Sequence, residues 1–118
     1  LCELSFGLPE GDRERFRIHG LELQPGTDVR FGACLADSIQ GHGVGPRLWA
    51  KIEEVARGFG CSRVLLWGGV YVSNDRARRF YRRVGFTEVG RFTRHDAREC
   101  IDMIVDLRAA KAVGSSRT

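Results

Sequence analysis

The chain has 118 residues, 42% of them hydrophobic, which suffices for one domain with one core and is too few for two of ordinary size. No apolar run approaches the roughly 18 to 20 residues of a membrane helix, and the first residues lack the basic-then-hydrophobic pattern of a leader. Cys2, Cys34, Cys61 and Cys100 have no metal-ligand spacing and read as reduced thiols of a cytoplasmic protein, while the formal charge of +4 is uneven, with 7 basic and 9 acidic residues through Phe59 and 12 and 6 beyond it.

Residues 1–8 alternate loosely and predict a strand, and residues 9–14, with Pro9, Gly11 and Asp12, predict a turn. Phe16, Ile18, Leu21 and Leu23 predict a second strand, with Arg17 and His19 on its other face and a bulge at Gly20. Pro25 and Gly26 then mark a hairpin turn over 24–28 that leads into a third strand at 29–36.

That strand runs into Gln40, Gly41, His42, Gly43, Val44 and Gly45 before a helix over 45–59, whose buried stripe is Leu48, Ile52, Val55, Ala56 and Phe59. Residues 64–72 are almost all apolar, as expected of a strand covered on both faces and parallel to its neighbour. A second helix over 75–84 is capped by Asn74 or Ser73 and ended by Gly85. It carries Arg76, Arg78, Arg79, Arg82 and Arg83, read either as a solvated face or as a surface that steers an anion. Two strands at 87–92 and 101–107 complete the domain, and residues 108–118 predict a disordered tail.

Three glycines before a helix let the backbone turn tightly, and the first helical amides have no partner inside the helix. Such a bend accepts a phosphate or pyrophosphate. The spacing is neither the dinucleotide G-x-G-x-x-G nor a P-loop. Gln40, Gly43 and Gly45 instead resemble the Q/R-x-x-G-x-G/A signature of the GNAT superfamily of acyl-CoA N-acyltransferases. Further on, Asn74, Ala77, Phe80, Tyr81, Gly85 and Phe86 resemble that family's N-x-x-A-x-x-F-Y-x-x-x-G-F helix. Two matches in the right order are far more specific than either alone, and the resemblance spans residues 29–107.

The resemblance implies a mixed α/β fold in which antiparallel N-terminal strands lead into a parallel pair, with the family's first strand and helices ahead of Leu1. It implies acetyl-CoA as co-substrate without a metal, held by Gly41, His42, Gly43, Val44 and Gly45, with Gln40 in the signature and Asn74 on the cofactor arm. An amide near Leu35 would polarise the acetyl carbonyl, and Tyr81 would protonate the leaving thiolate. The implied activity is direct acetyl transfer to a primary amine, small molecule or peptide. Cys34 is a minor alternative as covalent nucleophile, and the base stays open among Glu22, Asp37 and His19.

Two rival readings stand beside this one. The first is a non-catalytic acyl-CoA binding module without its acceptor pocket. The second is a basic nucleic-acid binder using the Arg76 to Arg83 face, for which the sequence offers no aromatic platform or recognition motif. An incomplete sheet edge near Leu1 favours pairing with a second copy of the chain.

Overall fold

The computed structural model describes residues 2–33 and 44–108. Six strands form one mixed sheet: β1 (Cys2–Ser5), β2 (Asp28–Ala33), β3 (Arg63–Leu66), β4 (Val70–Tyr71), β5 (Thr87–Thr93) and β6 (Glu99–Asp106). Three helices pack on it: α1 (Glu10–Ile18), α2 (Val44–Gly58) and α3 (Asp75–Arg83). β1 runs antiparallel to β2, β2 parallel to β3, and β6 antiparallel to β3, β4 and β5.

Alternation along each strand sorts the side chains onto two unlike faces. Val29, Phe31, Val64, Leu66, Val70, Ile101, Met103 and Val105 point to one side, where Trp49 and Ala56 of α2 and Ala77 and Tyr81 of α3 complete the main core. Leu65 and Ile104 point to the other, where they meet Phe16 of α1 and Leu23. Between these apolar patches the α1 face is ionic, with Asp28, Arg30 and Asp102 all buried.

Residues 9–18 depart from the expected turn and strand. Pro9 precedes a helix whose order comes from charge: Glu10 with Arg13 at 3.8 Å, Asp12 with Arg15 at 3.0 Å, and Glu14 with Arg17 at 2.6 Å, each three residues apart. Acids fill the first turn and bases the last, as the helix dipole favours. Only Phe16 is buried, and Ile18, which gave the apparent alternation, is 76% exposed. Gly20 is not a bulge; it follows the helix end with φ +90. The turn at 24–28 forms, with Asp28 N donating to Gln24 O at 3.0 Å, but the segment before it is no strand, so there is no hairpin. β1 reaches its antiparallel partner β2 through α1 instead.

The apolar run at 64–72 is likewise two strands rather than one. Gly68 and Gly69 take φ values of +75 and +69, which L-residues rarely adopt. β3 and β4 therefore lie end to end along one edge of β6, Leu65 opposite Ile104 and Val70 opposite Ile101. A Cβ on Gly69 would stand 2.7 Å from the Ile101 carbonyl and 2.9 Å from the Phe92 ring, so the break admits only glycine.

The remaining elements follow expectation in type and place, but the α2 stripe is narrower than its periodicity predicts. Trp49 and Ala56 are buried with Ile52 packed beside them, while Val55 is 37% and Phe59 68% exposed, the latter ring lying edge-on to Phe6. α2 includes Pro46 in its first turn, where a missing amide costs nothing. α3 is capped by Asn74 and closed by Gly85 at φ +114, and β5 and β6 form an antiparallel pair joined at 94–98. Cys61 and Cys100 are buried free thiols.

Candidate functional site

The parallel ladder between β2 and β3 is short. It starts at the pair Asp28 and Arg63 and ends at Phe31 and Leu66, with Trp67 N donating to Phe31 O at 3.0 Å as its last rung. Beyond that point β2 continues against β1 alone, through Gly32 and Ala33, while the other chain breaks at the two glycines. Among the described residues no ladder pair joins the two chains past this point, and this open end of the ladder, here called the fork, has peptide groups that can meet an extended ligand.

An ion pair pins the closed end of this fork. Arg63 donates Nε and Nη2 to the two Asp28 oxygens at 3.0 and 2.6 Å, and Gln24 N donates to the same carboxylate at 2.7 Å. Hydrogen bonding to Asp28 raises the Arg63 pKa above its ordinary value. A carboxylate this buried is tolerated because each oxygen has a cationic donor.

Of the residues singled out for the cofactor, Leu35, Gln40, Gly41, His42 and Gly43 lie outside the described residues, as do Cys34 and Asp37. Val44 and Gly45 open α2, whose first turn holds no acid, which suits an anion at that end. Asn74 Oδ1 accepts from Ala77 N at 3.1 Å, so its carbonyl serves the α3 cap and its amide NH2 is the group that can donate to a ligand. Tyr81 lies on the inner side of α3, buried, with its ring 5.4 Å from Phe86 and 5.3 Å from Phe80. Elsewhere on α3, Arg78 is held by Glu88 at 3.0 Å, while Arg76, Arg79, Arg82 and Arg83 are exposed.

The base candidates separate. Glu22 is exposed and faces Arg17 at 3.5 Å. The His19 side chain is largely covered, its ring laid against Gly90 and its Nε2 2.9 Å from Asp102 Oδ2, so it packs the α1 face rather than the fork.

Sequence reasoning missed the network around Asp102. This carboxylate is fully buried and takes Arg15 Nε at 2.6 Å and Nη2 at 3.0 Å; Arg15 also reaches Asp12, which Arg30 holds at 3.2 Å. Burial alone would lower the Arg15 pKa, and the bonds and charges of Asp102 and Asp12 outweigh it, so the group stays cationic. The signal was a lone acid inside the apolar run Cys100 to Val105. Also missed was Trp67, 43% exposed at the mouth of the fork with Arg30 stacked 4.0 Å from its ring; the Gly68-Gly69 pair behind it was the available clue. Among the described residues no cluster of His, Cys, Asp or Glu could hold a metal, and no helix is long and apolar enough to cross a membrane.

Comparison with known proteins supplies the kinship. Residues 20–86 match the Acetyltransferase (GNAT) family. Among solved structures, Ard1 from Thermoplasma volcanium superposes with a TM-score of 0.60 at 24% identity, over 68% of this chain and 55% of that one. The aminoglycoside acetyltransferase AAC(6')-Ib in complex with coenzyme A gives 0.60 at 23%, over 77% and 51%. The NatC complex bound to Gag peptide and CoA gives 0.58 at 18%, over 67% and 50%. The chain thus spans about half the length of these structures. A search of curated proteins found no match. With more than half of its residues within the matched region and the forked mixed sheet in place, the chain belongs to the GNAT acetyltransferase family.

Proposed function

We propose that the protein transfers an acetyl group from acetyl-CoA to a primary amine by direct attack in a ternary complex. The observation that carries this reading is the fork, where β2 and β3 part after Phe31 and Leu66 on the sheet whose other elements include the acid-free N-terminus of α2. Solved relatives in fold bind coenzyme A or acetyl-CoA beside aminoglycoside or peptide, which supports the same class of co-substrate and acceptor here.

The residues present fit that co-substrate. Backbone amides at 41–45 would hold the pyrophosphate, and the amide NH2 of Asn74 would meet the cofactor arm. Exposed arginines on α3 would raise the local concentration of a polyanion. When bound, the thioester supplies an activated acetyl group. An amide near Leu35 would polarise its carbonyl, and Tyr81 Oη would deliver a proton to the departing sulfur. Neither Glu22 nor His19 faces the fork, so the amine loses its proton through another group or water.

Acetylation of a panel of primary amines, run beside calorimetry with acetyl-CoA, tests the reading. Turnover with micromolar cofactor affinity supports it. Tight binding with no turnover of any amine favours the non-catalytic module, and affinity for DNA or RNA that falls steeply with salt, without cofactor binding, favours the nucleic-acid reading.

A further inference from the structure

The α1 face of the sheet carries a strip of alternating rings and guanidinium groups beside the fork. Arg30 lies 4.0 Å from the Trp67 ring, Arg15 4.4 Å from Phe92, Arg98 3.7 Å from Tyr71, and Arg94 5.5 Å from that same tyrosine. Pairing register sets Tyr71 and Phe92 on one face: both oppose Cys100, two residues from Asp102.

The inner half of the strip is neutralised. Arg30 and Arg15 share Asp12, and Arg15 also holds Asp102. The outer half is neutralised only in part. Among the described residues neither Arg94 nor Arg98 has a carboxylate within ion-pair distance; Arg94 Nη1 reaches the Gly68 carbonyl at 3.5 Å, one residue from Trp67. Two acids stand nearby, and both are occupied. Asp96 accepts from Arg98 N at 3.1 Å and from the Tyr71 hydroxyl at 3.2 Å, and its charge acts on both Arg94 and Arg98, so two guanidinium groups share one acid and leave an excess of positive charge, while Glu99 faces Arg91 at 3.9 Å.

Position gives this excess charge a use. α2 and α3 cover the opposite face, so a thioester anchored at the start of α2 reaches the fork from the helix side. The amine must then approach from the α1 face, past Trp67. Guanidinium groups match a carboxylate in shape as well as charge, and a stacked ring holds them in orientation.

We infer that Arg94 and Arg98, braced on Tyr71, form an oxyanion subsite for the acceptor, so that the preferred acceptor is a small amine carrying a carboxylate whose chain lies over Trp67. The inference rests on the acetyl-transfer reading and adds a substrate class to it. Polyamines and other polycationic acceptors are disfavoured by the same charges.

The test compares ω-amino acids of increasing length with their own amides, pairs that differ in the anion while the amine stays similar. For the best-fitting length, kcat/KM for the acid should exceed that for the amide about tenfold or more, the scale of a charge-assisted bond. The ratio should shrink several-fold between about 50 mM and about 500 mM salt, since the subsite is exposed. Arg94→Gln with Arg98→Gln should bring the ratio close to one with unchanged acetyl-CoA affinity, and Arg98→Lys should restore part of it.

Turnover of amines with no preference for the acid overturns the subsite and leaves the acetyl-transfer reading standing. If no amine is turned over, that reading has failed, and calorimetry of the same acids and amides on the CoA-loaded protein decides the subsite by itself. Tighter binding of the acid sustains it; equal or absent binding of the two overturns it.

Discussion

At the scale of single residues, the tightest constraints sit where backbone or charge has no alternative. Gly69→Ala would force a Cβ against the Ile101 carbonyl and the Phe92 ring at positive φ. A loss of about 2 to 4 kcal/mol is expected from steric and conformational terms together, measurable as a shift of the urea midpoint. An unchanged midpoint would mean that the two glycines are dispensable to the break. Tyr81→Phe keeps the rings of the core and removes one proton donor. On the acetyl-transfer reading kcat should fall about 100-fold, the low end for a general acid, with little change in KM for acetyl-CoA; an unaltered kcat would remove Tyr81 from the chemistry.

The sequence made the α3 cap at Asn74 and the inward placement of Tyr81 legible because a spaced helical pattern survives in one dimension. It did not reveal Asp102, whose partners Arg15 and His19 are 87 and 83 residues away. Pairings of that range are fixed by the fold and leave only an isolated charge in an apolar run as their trace.

At the scale of elements, α2, α3, β5 and β6 were readable from apolar content and stop signals, although the α2 stripe is narrower than predicted, with Val55 and Phe59 exposed, and β5 buries none of its residues fully. α1 was not. Its one buried side chain gives no stripe, and its helical order rests on three ion pairs that hydropathy ignores. This helix is held to the sheet by Phe16, by the Arg15 bridge to Asp102 and by the Asp12 pair with Arg30, so its attachment is separable from the main core. Asp102→Asn should cost about 3 kcal/mol by leaving Arg15 with half its pairing. Hydrogen exchange should rise in α1 more than in α2 or α3; uniform loss of protection would show instead that α1 and the main core unfold as one unit.

At the scale of the whole molecule, buried thiols set a limit on alkaline stability. Burial pushes both Cys61 and Cys100 above their ordinary value of 9.0, with Asp28 adding to the shift at Cys61. An acid whose folded pKa is raised binds its proton more tightly when folded. Its contribution is complete below the unfolded value and is lost as pH rises toward the folded one. Stability should therefore decline above about pH 9, and Cys61→Ala with Cys100→Ala should flatten that decline in denaturant titrations at several pH values. A slope identical in the double variant would assign the decline to other groups. The same burial predicts slow reaction of both thiols with a disulfide reagent at neutral pH and fast reaction once unfolded.

Because β6 runs without interruption behind both β3 and β4, it acts as a splint across the place where the sheet is open. The two halves of the broken strand keep their spacing from one continuous rail, and the Asp28 to Arg63 rivet fixes the opposite end of the gap. Such a wedge keeps its width without a ligand to prop it, so the entropy of shaping the cleft is met during folding rather than at each encounter.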